Sequence, residues 1–134
     1  MKVEQLIPIL NVSNLEESFA WFEKLGWKKA WDWGDPPDFG SVCNGDQEIF
    51  LSLNCLGCRS DPISPDVEDD YTGGVWMCWL LKSPADVDAF YDRALEQGVI
   101  ATKPPTDQPF GIRECHVRHP DGHTFRVGAS TEDD

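Results

Sequence analysis

The apolar positions of this chain follow two rhythms, and they come in the same order twice. A run from Leu6 to Val12 predicts a strand. It leads into Asn14, a good N-cap with Glu17 three residues on, and then into a helical pattern that puts Leu15, Phe19, Phe22 and Leu25 on one face before Gly26. A second run, Val75 to Leu81, leads into Ser83-Pro84, a cap with proline at the first helical position. The helix that follows buries Val87, Phe90, Tyr91 and Ala94 before Gly98. Three strands are expected after each helix: residues 27–33, 40–44 and 48–54 in the first copy, and 99–103, 111–118 and 123–128 in the second. The chain therefore reads as one unit, strand, helix and three strands, written twice.

Residues 55–74 separate the two modules, 1–54 and 75–134, within what reads as a single domain. The stretch from Leu56 to Gly74 holds Pro62, Pro65, five acidic residues and a Gly-Gly, the composition of a surface linker or lid. A second loop, Gly34-Asp35-Pro36-Pro37-Asp38, is expected to interrupt the first module. The most specific segment is Pro105 to Gly128. Ile112, Glu114, His116 and Arg118 alternate there with Arg113, Cys115 and Val117, and Phe125 and Val127 alternate with Thr124, Arg126 and Gly128. Between these strands lies His119-Pro120-Asp121-Gly122, where proline presets φ at the second turn position and glycine closes a type I turn.

Composition narrows the partners. A chain of 134 residues buries one good core, and a second domain is not expected. Eleven basic residues against 24 acidic ones leave a net charge of −13, which repels nucleic acid and anionic membranes and attracts cations. No run is long enough to span a bilayer, and no basic-then-apolar leader opens the chain, so a soluble cytoplasmic protein is expected. Its five cysteines should then be reduced thiols. Cys43, Cys78 and Cys115 sit in strand-like runs as small hydrophobes. Cys55 and Cys58 form a lone C-x-x-C without the second ligand pair that structural zinc needs, so they are read as loop thiols.

Strand alternation sorts the side chains by face. Val75, Met77, Trp79 and Leu81 should meet the helix, and Trp76, Cys78 and Leu80 the opposite side. The same parity gives that opposite side Ile7, Ile9 and Asn11, then Phe50, Ser52 and Asn54. Glu114, His116, Arg118, Thr124 and Arg126 join them from the last hairpin. Such a lining, aromatic and apolar with a few polar groups, suits a small molecule. Of the six tryptophans, Trp21, Trp27 and Trp79 are expected in the core. Trp31, Trp33 and Trp76 should include at least one ring offered for stacking.

The run G-I-R-E-C-H-V-R-H-P-D-G-H, residues 111–123, resembles the closing hairpin of the glyoxalase/bleomycin-resistance proteins, the vicinal oxygen chelate superfamily, whose frequent signature is G-x-R-E-x-x-V-x-D-P-D-G-H. His119 stands where that signature has aspartate. The resemblance covers nearly the whole chain. It implies an α+β fold of two βαβββ modules forming a curved mixed sheet, in a dimer with grooves at the subunit interface. It also implies that Pro8 is a hinge for exchange of the first strand. Metal-dependent members bind a divalent ion through four strands, and those four positions fall here on Ile7, Ser52, Trp76 and Arg126. None is a normal ligand, and an arginine repels a cation, so no metal and no other cofactor are expected.

This pattern resembles the bleomycin-resistance branch, whose members sequester a drug without chemistry. The expected ligand is a small organic molecule, cationic by preference, held by Trp33, Phe50, Ser52, Trp76, Phe110, Glu114, His116 and Arg126. Two other classes stay open. One is an isomerase, lyase or dioxygenase of the same superfamily, using His116 and Glu114 as acid or base. The other is a structural or interaction module, with a cavity collapsed around Trp76.

Overall fold

The computed structural model describes residues 1–53 and 74–132. The chain divides into two compact units, Met1–Ser60 and Asp61–Asp134, and among the described residues each carries one four-stranded sheet and one helix.

In the first unit β1 (Ile9–Asn11) is followed by α1 (Leu15–Lys24), β2 (Lys28–Gly34), β3 (Pro37–Asn44) and β4 (Gln47–Ser52), with sheet order β1-β4-β3-β2. The parallel pairing of β1 with β4, against antiparallel neighbours, makes the sheet mixed. Asn14 caps the helix as its sequence position predicts, its side chain accepting the Glu17 N–H at 2.9 Å. Leu15, Phe19, Phe22 and Leu25 are all buried, against Leu10, Val42, Ile49 and Leu51 of the sheet. Phe19 sits so close to β3 that a Cβ on Gly40 would lie 2.5 Å from its ring. Only glycine permits that approach. Trp21 and Trp27 are buried with Phe22, whose ring meets both edge-on.

The second unit repeats the plan. β5 (Trp76–Leu80), α2 (Pro84–Glu96), β6 (Ile100–Asp107), β7 (Ile112–Arg118) and β8 (Thr124–Ser130) give the order β5-β8-β7-β6, with β5 parallel to β8. Ser83 caps α2 and Pro84 opens it. Val87 and Ala94 are buried, while Phe90 and Tyr91 are only half-buried. Trp79 stacks on Phe125 with ring centroids 4.4 Å apart and meets Phe90 of α2 edge-on, so it faces the helix as its parity predicts.

Several boundaries differ from expectation, each for a local reason. The first strand is shorter than Leu6 to Val12. Pro8 accepts from the Phe50 N–H but has no N–H of its own, so the ladder stops there. Residues 34–38 form a tight hairpin, not a loop: β2 runs to Gly34, β3 starts at Pro37, and only Asp35 and the cis-linked Pro36 lie between. Gly34, at φ +107°, makes the reversal that other residues avoid. β6 extends through Pro104 and Pro105 to Asp107, because it is an edge strand whose register shifts absorb both prolines. Cys55, Cys58, Asn54 and the expected linker lie outside the described residues. Among the described residues, no helix is long and apolar enough to cross a membrane.

The β7–β8 turn holds the least expected feature. Gly122 N–H donates to the His119 carbonyl at 2.8 Å, closing the turn, and both His119 and His123 are buried. Each imidazole accepts a backbone N–H on Nδ1: Asp121 on His119 and Val75 on His123, both at 3.0 Å. Protonation of His119 would remove an acceptor and place a charge beside a second imidazole. Burial, reinforced by His123, pushes the His119 pKa well below 6.5, with Asp121 a weaker opposing influence. The unfolded chain takes up this proton below 6.5 and the native chain refuses it. The stabilisation is therefore complete above 6.5 and declines as the pH falls from there. Thermal unfolding between about pH 7 and about pH 5 should show the melting temperature falling with pH. His119→Asn, which keeps an acceptor for Asp121, should flatten that slope, and an unchanged slope would assign the proton to another group.

Candidate functional site

In each unit the helix covers one sheet face, and the chemistry lies on the other. In the second unit the ladder pairs His116 with Arg126, Arg118 with Thr124, Trp76 with Thr124 and Cys78 with Arg126. The register thus gathers the alternate residues of β5, β7 and β8 that parity assigns to the open face. At its centre Glu114, only 3 % exposed, accepts from Arg126 twice: Nε to Oε2 at 3.1 Å and Nη2 to Oε1 at 2.8 Å. Gln108 Nε2 donates to Oε1, and His116 Nε2 lies 3.3 Å from the same oxygen. Glu114 and Arg126 therefore pair across the hairpin in a planar two-bond fork, the strong form of a carboxylate–guanidinium contact.

The electrostatics follow from this crowding. Burial raises the Glu114 pKa, but the bonds from Arg126 and His116 and their charges outweigh it, so the carboxyl titrates below its usual range and stays ionised. His116 moves down. Burial leads, Arg126 and Lys103 add to it, and Glu114 only partly offsets them. Its ring meets Trp76 edge-on at 5.7 Å, and the indole is 42 % exposed. Cys78 is exposed in outline, yet partial desolvation raises its pKa above that of a free thiol, which keeps it protonated and a poor nucleophile. Phe110 stands exposed on the β6–β7 turn, off the strand ladder.

The open face of the first unit is aromatic. Trp31 stacks on Phe39 at 5.8 Å and meets Phe50 at 5.3 Å, and Phe39 meets Phe50 at 5.4 Å. Trp33, two residues along β2, is 70 % exposed. Ser52 is buried at the end of β4, in register with Phe39 and Asn11. The structure thus groups Phe50 with Ser52 in one unit, and Trp76 with Glu114, His116 and Arg126 in the other. Two contributors escaped the sequence reading, Phe39 and Gln108. Phe39 shares parity with Ser41 and Cys43, a signal hidden while β3 was expected to begin at residue 40. Gln108 lies just beyond β6 and gives no periodic signal.

The residues at the four positions to which the resemblance assigns a metal do not fit one. Ile7 has no donor, Ser52 and Trp76 are poor ligands, and the Arg126 guanidinium is already bonded to Glu114. Among the described residues, no three His, Cys, Asp or Glu side chains converge.

Two mixed four-stranded sheets, each with one helix and a βαβββ order, constitute the vicinal oxygen chelate fold. The chain belongs to the Glyoxalase/Bleomycin resistance protein/Dioxygenase superfamily, whose family model matches residues 4–127. Among solved structures it is similar to a bleomycin-binding protein complexed with bleomycin, with a TM-score of 0.68 and 18% identity, covering 96% of this chain and 99% of that one. A bleomycin resistance determinant encoded on the transposon Tn5 gives 0.69 and 18% identity over 97% and 100% of the two chains. A glyoxalase-related enzyme from Fulvimarina pelagi gives 0.72 and 17% identity over 96% and 89%. These likenesses show the fold. Comparison with curated protein sequences gave no match.

The Glu114–Arg126 pair generates an asymmetric expectation. Removing Glu114 leaves a guanidinium that is 39 % exposed and can hydrate, whereas removing Arg126 leaves a buried carboxylate. Glu114→Ala should cost about 1–2 kcal/mol and Arg126→Ala about 2–4 kcal/mol in urea unfolding. Equal costs, or the reverse order, would mean that the carboxylate is not desolvated.

Proposed function

We propose that this chain is a metal-independent small-molecule binding protein that sequesters a drug or metabolite in the manner of the bleomycin-resistance proteins. The observation that carries the reading is the Glu114–Arg126 fork. A carboxylate bonded by both oxygens to a guanidinium is neither a proton donor nor a free metal ligand, and the guanidinium comes from Arg126, at a position where the resemblance would put a metal ligand. The exposed rings of Trp33 and Trp76 and the Trp31–Phe39–Phe50 cluster support binding, since indole and phenyl faces hold planar ligands by stacking. The net charge of −13 favours a cationic one.

The likeness to bleomycin-binding proteins makes bleomycin the first probe. Bleomycin should quench tryptophan fluorescence, and Trp76→Ala should weaken binding several-fold, the effect of losing a contact of about 1 kcal/mol. Salt should weaken binding further through the long-range attraction, and a chelator should leave it unchanged. Unaltered affinity in Trp76→Ala, or a stoichiometric metal whose removal abolishes binding, would overturn the reading.

The enzyme alternative has one specific support, the 3.3 Å contact of His116 with Glu114, a base beside an orienting carboxylate. A bound ligand that exchanges a carbon-bound proton with heavy water, dependent on His116, would establish it. The expected result is binding without exchange. A homodimer is also part of the proposal, supported by apolar side chains left exposed along the edge strands, Ile9 on β1 and Leu80 on β5. Light scattering at micromolar concentration should give twice the 15.1 kDa chain mass, and a monomer would remove this part.

A further inference from the structure

Arg126 has five N–H donors, and Glu114 uses only two of them. The bonded pair, Nε and Nη2, forms one edge of the guanidinium plane. The adjoining edge, Nη1 with the second hydrogen of Nη2, has no partner among the described residues, and the side chain is 39 % exposed. An arginine fixed along one edge by a buried carboxylate cannot swing away, so its open edge is held in place before anything binds. Its register neighbours are His116 on β7 and Cys78, a short side chain, on β5. Trp76, two residues before Cys78, presents a half-exposed ring to the same face.

We propose that Arg126 is an anion anchor, and that the ligand of this face carries a carboxylate attached to the ring system that lies on Trp76. The inference rests on the small-molecule reading above and adds a ligand class to it. Planar geometry favours a carboxylate, because the Nη1/Nη2 edge matches its two oxygens in a second fork. Charge permits it. Glu114 and Arg126 neutralise one another, the guanidinium lies nearer to an oxyanion on its open edge than Glu114 does, and Lys103, paired with His116 in the ladder, adds a positive charge. In a protein of net charge −13, this patch is locally not acidic.

A matched probe pair tests the anchor: N-methyl-6-carboxyquinolinium, a zwitterion, and its cationic 6-carboxamide, two planar quinolinium rings differing only in the anionic group. The acid form has no net charge, so the field of the whole protein attracts it less, and tighter binding must come from a local contact. With the long-range field screened by about 0.5 M salt, the acid should bind about ten-fold more tightly than the amide, as for a charge-assisted bidentate bond. That preference should vanish in Arg126→Gln. The double variant Arg126→Gln with Glu114→Gln, which leaves no buried charge, should behave likewise and stay folded by circular dichroism. Equal affinities in the unsubstituted protein, or a preference that survives both variants, would overturn the anchor and leave the small-molecule reading standing. If neither probe nor bleomycin binds, both fall.

Discussion

Among the described residues each four-stranded sheet has a single helix to pack against, and everything else follows from that shortage. A sheet has two faces, and one ten- or thirteen-residue helix covers only one of them. The covered faces hold the fold together: Leu10, Val42, Ile49 and Leu51 in one unit, and Cys115, Val117, Phe125 and Val127 in the other, all buried beneath α1 or α2. Among the described residues no helix packs on the opposite faces, which carry Trp31, Phe39, Phe50 and Trp76. Exposed aromatic surface of that kind is the feature from which the binding proposal starts.

How much of this was legible beforehand depended on the range of the interaction that set each feature. Helix positions were readable because a cap is local: Asn14 and Glu17, or Ser83 and Pro84, contain the whole signal within four residues. Strand parity was readable for the same reason, and it placed Trp79 toward α2 and Trp76 away from it. What escaped notice depended on partners distant in sequence. The Gly34 to Pro37 hairpin has the composition of a loop, and only the pairing of Trp33 with Phe39 shows that the strands run on to its tip. Turn chemistry and alternation gave no sign that His119 and His123 are buried. Their burial comes from the return of β5 against the turn, 48 residues away in sequence, where Val75 donates to His123. Whether Glu114 would bond to Arg126 or stay free was likewise undecidable from alternation, which gives the face and not the rotamer.

Electrostatics work at two scales here, and they differ in sign. At long range the 24 acidic residues dominate, and the molecule draws cations toward it. Within hydrogen-bonding distance on the second sheet, the arrangement is nearly neutral, because the one buried carboxylate is matched by a guanidinium bonded in a fork. Salt separates the two, since a field spread over the surface is screened within about 10 Å at 0.1 M while a contact bond is not. A ligand selected by both would be a planar cation that also carries an acidic group.

The substitution of Arg126 at a metal-ligand position completes the argument about chemistry. In metal-dependent relatives the resemblance puts a divalent cation at these strands, where it would polarise a bound oxygen and lower the pKa of whatever it touches. An arginine supplies positive charge at the same place on the sheet, but it differs in kind. It stays protonated, has no empty orbital, and gives its charge through hydrogen bonds whose directions Glu114 has already set. Such a group recognises an oxyanion without activating it. On the reading proposed above, an arginine braced on a buried carboxylate would hold an electron-rich oxygen without activating it.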